Sequence, residues 1–315
     1  MRTYARILTL ISVGVVAIAL VMFAQEGDQQ KGKGKGGGGR PRIMAHNAAN
    51  DGKPFDKHDL SGIWSRNGTP LGYGGGGTCA DCGDRGFSND VPPMTPLGQK
   101  MYEANKPSYG RNLGSDDAKA HPEEAIGRRR AVPPANGTDP YQYCNPEGVT
   151  RALIYPDPLE MNVLPNKIMQ QFEWTYQVRT IWTDGRKLPA DPDQPRWWGY
   201  STGHWDGDTL VVESNGFDER TWVDHFGYPH SVDMKLEERY KRTFYDTIEL
   251  FMTVTDPKIY TKPWVSQTKK FRKVDPAVVK TIDGWTGLIE DVCAPADEVD
   301  QFDKRVRDPA GGVTH

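Results

Sequence analysis

Six side chains able to do acid–base or metal chemistry gather in one part of the chain: His204, Asp206, Asp208, Asp224, His225 and His230. In the run Trp222-Val223-Asp224-His225-Phe226-Gly227-Tyr228-Pro229-His230-Ser231, two imidazoles and a carboxylate fall within a short stretch. Imidazole and carboxylate together suit zinc or another divalent ion, and an aspartate can also orient a histidine as a general base. The catalytic candidates are therefore His204, Asp224 and His230, and the metal-ligating candidates are Asp224, His225 and His230. The spacing matches no known zinc motif, and Gly227 with Pro229 reads as a loop. The competing reading is a surface loop whose Asp and His cap turns. Asp206 and Asp208 flank Gly207 and serve a turn in either case.

Other constellations carry less. Cys79-Ala80-Asp81-Cys82 has the spacing of a redox pair, but such pairs open a helix, and here glycines surround it. Gly74 to Gly77 lacks the Lys-Ser/Thr ending of a phosphate loop, and no Gly-x-Ser-x-Gly elbow occurs. Ser201 and His204 are too close on one strand to form a triad by themselves. Aromatic residues are the remaining signal. Trp174, Tyr176, Trp182, Trp197, Trp198, Tyr200 and Trp205 crowd two adjacent predicted strands. Beyond what a core absorbs, such rings would line a cavity mouth or form a platform for an apolar or sugar-like ligand. Trp174, Tyr176, Trp198 and Tyr200 are the ligand-binding candidates, with Arg179 placed to meet an anionic group.

The elements that must position these residues are strands. From Asn166 onward the apolar period is two. Trp174, Tyr176 and Val178 alternate with Thr175, Gln177 and Arg179, which predicts a half-buried strand. Runs from Trp198 to Trp205 and from Thr209 to Ser214 meet across Asp206-Gly207-Asp208, a strong hairpin signal. Val232, Met234 and Leu236 alternate with charged residues in a strand that continues to Phe244. Ile248, Leu250, Met252 and Val254 then share one face. Further strands are expected from Trp264 to Phe271 and from Thr286 to Cys293. Strands in series with short turns predict a mainly all-β fold, an antiparallel meander that closes into a barrel or stacks into a sandwich to hide its edges. Before it, residues 68–165 read as a Gly/Pro-rich irregular insert, with one helix near Thr95 to Asn105 that Thr95 can cap and Pro96 can start.

The amino terminus has the order of a secretory signal. Met1 to Arg6 carries two arginines, an apolar run spans Ile7 to Phe23, and Ala24 precedes the cut. Met22 is bulky for the position three before the cut. The segment is therefore expected either to be removed after Ala24 or to stay as an anchor, its length of ~17 residues being enough to span a bilayer. Both outcomes place the rest outside the cytoplasm, secreted or periplasmic. Residues 25–57, with the Lys31-Gly32-Lys33-Gly34-Lys35 repeat, read as a flexible linker, and residues 58–315 as a single domain. Four cysteines, an even number, agree with export. They allow three pairings, of which Cys144 with Cys293 and Cys79 with Cys82 is the one expected. The net charge is -3 and no basic stripe accompanies the aromatics, so a nucleic-acid partner is disfavoured. Membrane contact is expected only through a retained signal. The sequence implies no particular cofactor.

Two resemblances follow from short segments. Gly62-Ile63-Trp64 on the first strand of a meander resembles the Gly-x-Trp signature of lipocalins, which implies a barrel closed at one end by Trp64, with Arg272 as the arginine packed on it. The second lipocalin signature is not visible. The segments Asp59 to Trp64, Pro92 to Pro96, Gly207 to Val212 and Asp256 to Trp264 look like a family of exported bacterial proteins of unassigned function. That resemblance implies export and fold but no activity. The functional expectation is an exported β barrel that binds a small hydrophobic or amphipathic ligand in an aromatic-lined interior. The alternatives are a metal-assisted hydrolase built on His204, Asp224, His225 and His230, and an envelope scaffold.

Overall fold

The computed structural model describes residues 48–66, 86–88, 90–107, 137–155 and 157–274, together with Leu288 and Cys293. The signal segment, most of the linker, the Gly74–Gly77 tract, Cys79 and Cys82 lie outside the described residues, as does the strand expected from Thr286 apart from Leu288 and Cys293.

Ten strands form one sheet: β1 (Gly62–Ser65), β2 (Leu159–Leu164), β3 (Lys167–Phe172), β4 (Gln177–Trp182), β5 (Tyr200–Asp206), β6 (Thr209–Asn215), β7 (Lys235–Phe244), β8 (Thr247–Thr255), β9 (Trp264–Val265) and β10 (Lys269–Lys273). Neighbours in sequence pair from β1 to β8, and β10 pairs with both β8 and β1, so the sheet closes on itself. β9 lies along the same edge of β8 as β10, and between them the Ser266 N–H donates to the Met252 carbonyl. The two act as one interrupted stave, which gives a closed barrel of nine strands. Closure removes the exposed edges that a sheet this size would otherwise present.

The hairpin turn expected at Asp206-Gly207-Asp208 is present. Gly207, at φ 57°, makes the left-handed turn between β5 and β6. All pairs are antiparallel except β4 with β5, which is parallel and registers at one position, Trp182 opposite Thr202. A parallel pair needs a long return path. Residues 183–199 supply it as a strap across the outside of the barrel, stiffened by Pro189, Pro192 and Pro195. The Asn215 side chain anchors the strap through the Pro189 carbonyl at 2.7 Å, and the Arg196 N–H bonds the Gly216 carbonyl at 2.9 Å.

Inward positions carry most of the core. Ile248, Leu250, Met252 and Val254 are fully buried together, as their alternation predicts. On β4 the faces are reversed from the expectation. Val178 is 46% exposed, whereas Arg179 and Ile181 are buried. The alternation starting at Trp174 is broken because Trp174–Tyr176 is a 3-10 turn, with Thr175 and Tyr176 at positive φ. A one-residue slip exchanges the two faces of a strand, and Arg179 is held inside by a carboxylate described below.

One end of the barrel is closed by residues 48–61. Trp64 is buried there and donates its indole N–H to the Leu60 carbonyl at 2.9 Å. The cations over its ring are Arg242 and Lys273, each 5.5 Å from the centroid. Arg272 does not take that place. It pairs opposite Ser65, and its guanidinium donates to Thr247 Oγ1. Alternation explains the difference, since Lys273 is the residue opposite Trp64.

The other end is covered by helix α1 (Pro96–Ala104), helix α2 (Val149–Ile154), whose residues are all buried, and the loop after β6. Thr95 caps α1 as expected, accepting from the Gly98 N–H at 3.1 Å. The insert read as irregular thus contains α1, α2 and β2. Cys144 and Cys293 form a disulfide, the pairing expected from their flanking positions and one consistent with an oxidising compartment. No helix among the described residues is long and apolar enough to cross a membrane.

Candidate functional site

The barrel interior holds a polar cluster that the sequence reading did not foresee. Arg179 of β4 and Glu238 of β7 form a bidentate pair at 2.7 and 2.9 Å, with both side chains essentially sealed from solvent. The remaining donors of Arg179 go to Ser201, Ser214 and Gln170 at 2.9 to 3.2 Å. Tyr240 donates to Glu238 at 2.6 Å and accepts from Gln170 at 3.0 Å. Burial by itself would loosen the proton on Arg179, but the Glu238 carboxylate holds it, and the net effect raises the pKa. Burial, then Glu238, push the Tyr240 phenol well above its ordinary value. The anion that Arg179 meets is therefore Glu238. Its guanidinium is committed to the core, where a fully satisfied network fixes the strands it joins.

A recess of about 540 Å³ opens in the wall at the splayed β4–β5 seam, between those strands and the strap. Arg179, Trp182, Tyr200, Ser201 and Thr202 of the two strands line it, with Trp197 and Trp198 from the strap. Gly199 lets the strap turn tightly into β5. Its φ is +59°, and a Cβ there would stand 2.6 Å from the Asn215 carbonyl oxygen. Guanidinium groups lie on the aromatic faces: Arg186 is 3.6 Å from the Trp182 centroid, Arg196 is 4.3 Å from that of Tyr200, and Arg220 is 4.2 Å from that of Trp197. Trp198 stacks on Phe172 at 5.0 Å and is the ring through which the recess meets the core.

Of the five ligand-binding candidates, Arg179, Trp198 and Tyr200 line this recess and Trp174 and Tyr176 do not. Trp174 stacks with Tyr155 at 5.1 Å, in the cap over the barrel end, and Tyr176 is exposed on its turn. Trp182 and Trp197 of the same aromatic group line the recess too. Lys187 and Arg196 line it although no pattern singled them out, because they sit on a proline-rich connection without periodicity. The useful signal would have been the length of that connection, which a parallel crossover requires.

The acid–base candidates take separate places. His204 is exposed on β5, opposite Val211. Asp224 is fully buried and accepts from the Phe226 N–H at 2.9 Å and the Phe87 N–H at 3.2 Å, a turn-and-anchor role. His225 is buried in the cap, with Nδ1 3.1 Å from the Tyr155 hydroxyl and 3.4 Å from Arg151. Arg151 can only donate, so Nδ1 is the acceptor nitrogen of that ring. Arg151 is itself held bidentately by Asp139 at 2.8 and 2.9 Å. His230 faces Thr221 Oγ1 at 2.6 Å and donates from Nδ1 to the Ser231 carbonyl at 2.9 Å, and its burial lowers its pKa. Among the described residues no group of three His, Cys, Asp or Glu side chains is placed to hold a metal ion.

Comparison of the chain with known protein families, with curated proteins and with solved structures finds no match.

Proposed function

We propose that this chain is an exported β-barrel protein that binds a small amphipathic molecule at the β4–β5 recess. The observation that carries the reading is the break in an otherwise antiparallel ring. There two strands separate, the strap spans the gap, and four aromatic residues, Trp182, Trp197, Trp198 and Tyr200, line one opening. The position differs from the expected interior site. Inward-facing positions are occupied by the apolar core and by the Arg179–Glu238 network, so the wall offers the space. Concave, aromatic-lined recesses with a few polar groups are the usual form of small-molecule sites. The disulfide and the signal-like amino terminus support export.

Titration of the mature protein with 2-naphthol, 2-naphthoate and an alkyl glucoside, followed by intrinsic tryptophan fluorescence, tests this reading. A saturable change with at least one probe is expected, and it should be lost in a folded Trp182→Ala/Tyr200→Ala variant. A flat response to the whole panel would refute it.

A further inference from the structure

The recess is charged in one sense only. Its lining includes Arg179, Arg186, Lys187 and Arg196 and contains no Asp or Glu. Two of these cations are already neutralised by carboxylates outside the lining: Arg179 by Glu238, and Arg186 by Asp184 at 2.6 Å. Lys187 and Arg196 have no ion-pair partner among the described residues, although the chain as a whole carries a net charge of -3. A neighbouring recess that shares Pro195 has the opposite balance, with Asp191, Asp193 and Asp233 against Lys235, Asp233 being paired with Lys258 at 2.6 Å. A chain with an acidic balance has thus placed two uncompensated cations beside four aromatic rings.

Resting on the ligand-binding reading of this recess, we propose that its ligand is an organic anion, a carboxylate carried on a six-membered ring. The ring packs against the parts of Trp182, Trp197 and Tyr200 that the Arg186, Arg220 and Arg196 guanidinium groups leave open. The carboxylate is taken by Lys187 and by Arg196, whose planar guanidinium, lying on the Tyr200 ring, keeps in-plane N–H donors for an oxygen pair arriving at its edge. Thr202 supplies a hydroxyl in the lining for the ring's polar substituents, that of Ser201 being taken by Arg179 and Ser214. Both cations are solvent-exposed, so their attraction is screened by salt and adds selectivity to the packing.

The source of the ring, aromatic or sugar, is read from the arms of one experiment. Calorimetric titration of the mature protein compares 2-naphthoate, its neutral amide 2-naphthamide, and glucuronate. The acid is expected to bind about tenfold more tightly than the amide at low salt and to lose that advantage on going from ~10 to ~300 mM NaCl. Lys187→Gln and Arg196→Gln should each weaken the acid several-fold and leave the amide unchanged. Naphthoate binding without glucuronate binding assigns an aromatic acid, and the reverse assigns an acidic sugar. Equal binding of acid and amide would overturn the anion proposal while leaving the recess as a ligand site. Variants that lose acid and amide together would also count against it, since charge would not be what they removed. No binding by any of the three would remove the ligand-binding reading as well.

Discussion

Replacing Glu238 by Gln keeps the shape of the side chain and removes the charge that Arg179 faces. Because the two side chains are 0% and 1% exposed, water does not take over the role of the lost carboxylate. Breaking a buried pair from one side costs about 3–5 kcal/mol, since an uncompensated charge is left in the interior. Arg179→Met should cost a similar amount for the same reason, with the Tyr240–Glu238 bond left beside an unpaired carboxylate. The double variant Arg179→Met/Glu238→Gln removes both charges. The Ser214–Ser201 bond at 2.9 Å and the Gln170–Tyr240 bond at 3.0 Å can persist, so few polar groups are stranded. Each one that is stranded costs about 1–3 kcal/mol. The double variant should therefore be more stable than either single variant, with a coupling energy of at least ~2 kcal/mol. Urea unfolding of the disulfide-intact protein at pH 7, followed by tryptophan fluorescence, measures all four corners of the cycle. A loss under ~1 kcal/mol for Glu238→Gln, or additive single effects, would mean that the pair is solvated and that the barrel is not closed around it.

Three further outcomes follow from the geometry. Burial depresses the pKa of His230 below its ordinary 6.5, so the native state takes up a proton less readily than the unfolded chain. Its contribution is present above pH 6.5 and is lost as pH falls toward the depressed value, with a slope of at most about 1.4 kcal/mol per pH unit; His230→Asn should flatten stability curves in that window, and an unchanged curve would refute the assignment. Gly98→Ala adds helix propensity of about 1 kcal/mol, but its Cβ would stand 2.4 Å from the Ile259 carbonyl oxygen. The clash should win, with a net loss of about 1–3 kcal/mol by thermal unfolding. Cys144→Ala, which opens a loop spanning a sequence separation of 149, should lower stability by about 2–5 kcal/mol in chemical denaturation.

The strands were legible wherever their residues faced a dry core on one side. Ile248, Leu250, Met252 and Val254 alternate cleanly because all four are inside, while Phe251 of the same strand stays exposed, and Asp206-Gly207-Asp208 marks its hairpin because a left-handed residue is needed there. β4 was misread because its buried face carries Arg179, and hydrophobic periodicity has no way to mark a charge that is neutralised across the barrel. The clue lay on β7, where Leu236, Glu238, Tyr240 and Arg242 share one face and the two charged members are buried. β2 escaped notice because only Leu159 and Met161 of that strand are buried. The histidine cluster was dense in sequence yet is dispersed in the fold. Asp224, His225 and His230 each satisfy a different neighbour, which local spacing does not reveal. The recess was half legible: Trp182, Trp197, Trp198 and Tyr200 stood out as aromatics, while Lys187 and Arg196 reach it only through the path of the strap.

The recess is tested most directly by the indole N–H signals of the nine tryptophans in a two-dimensional NMR spectrum, recorded as 2-naphthoate is added. Trp182, Trp197 and Trp198 line the recess, whereas Trp64 and Trp264 are fully buried in the core. Saturable shifts confined to the first three, with Trp64 and Trp264 unmoved, are the expected result. Shifts at Trp64 or Trp264 with the recess tryptophans still would place the ligand inside the barrel and contradict the account.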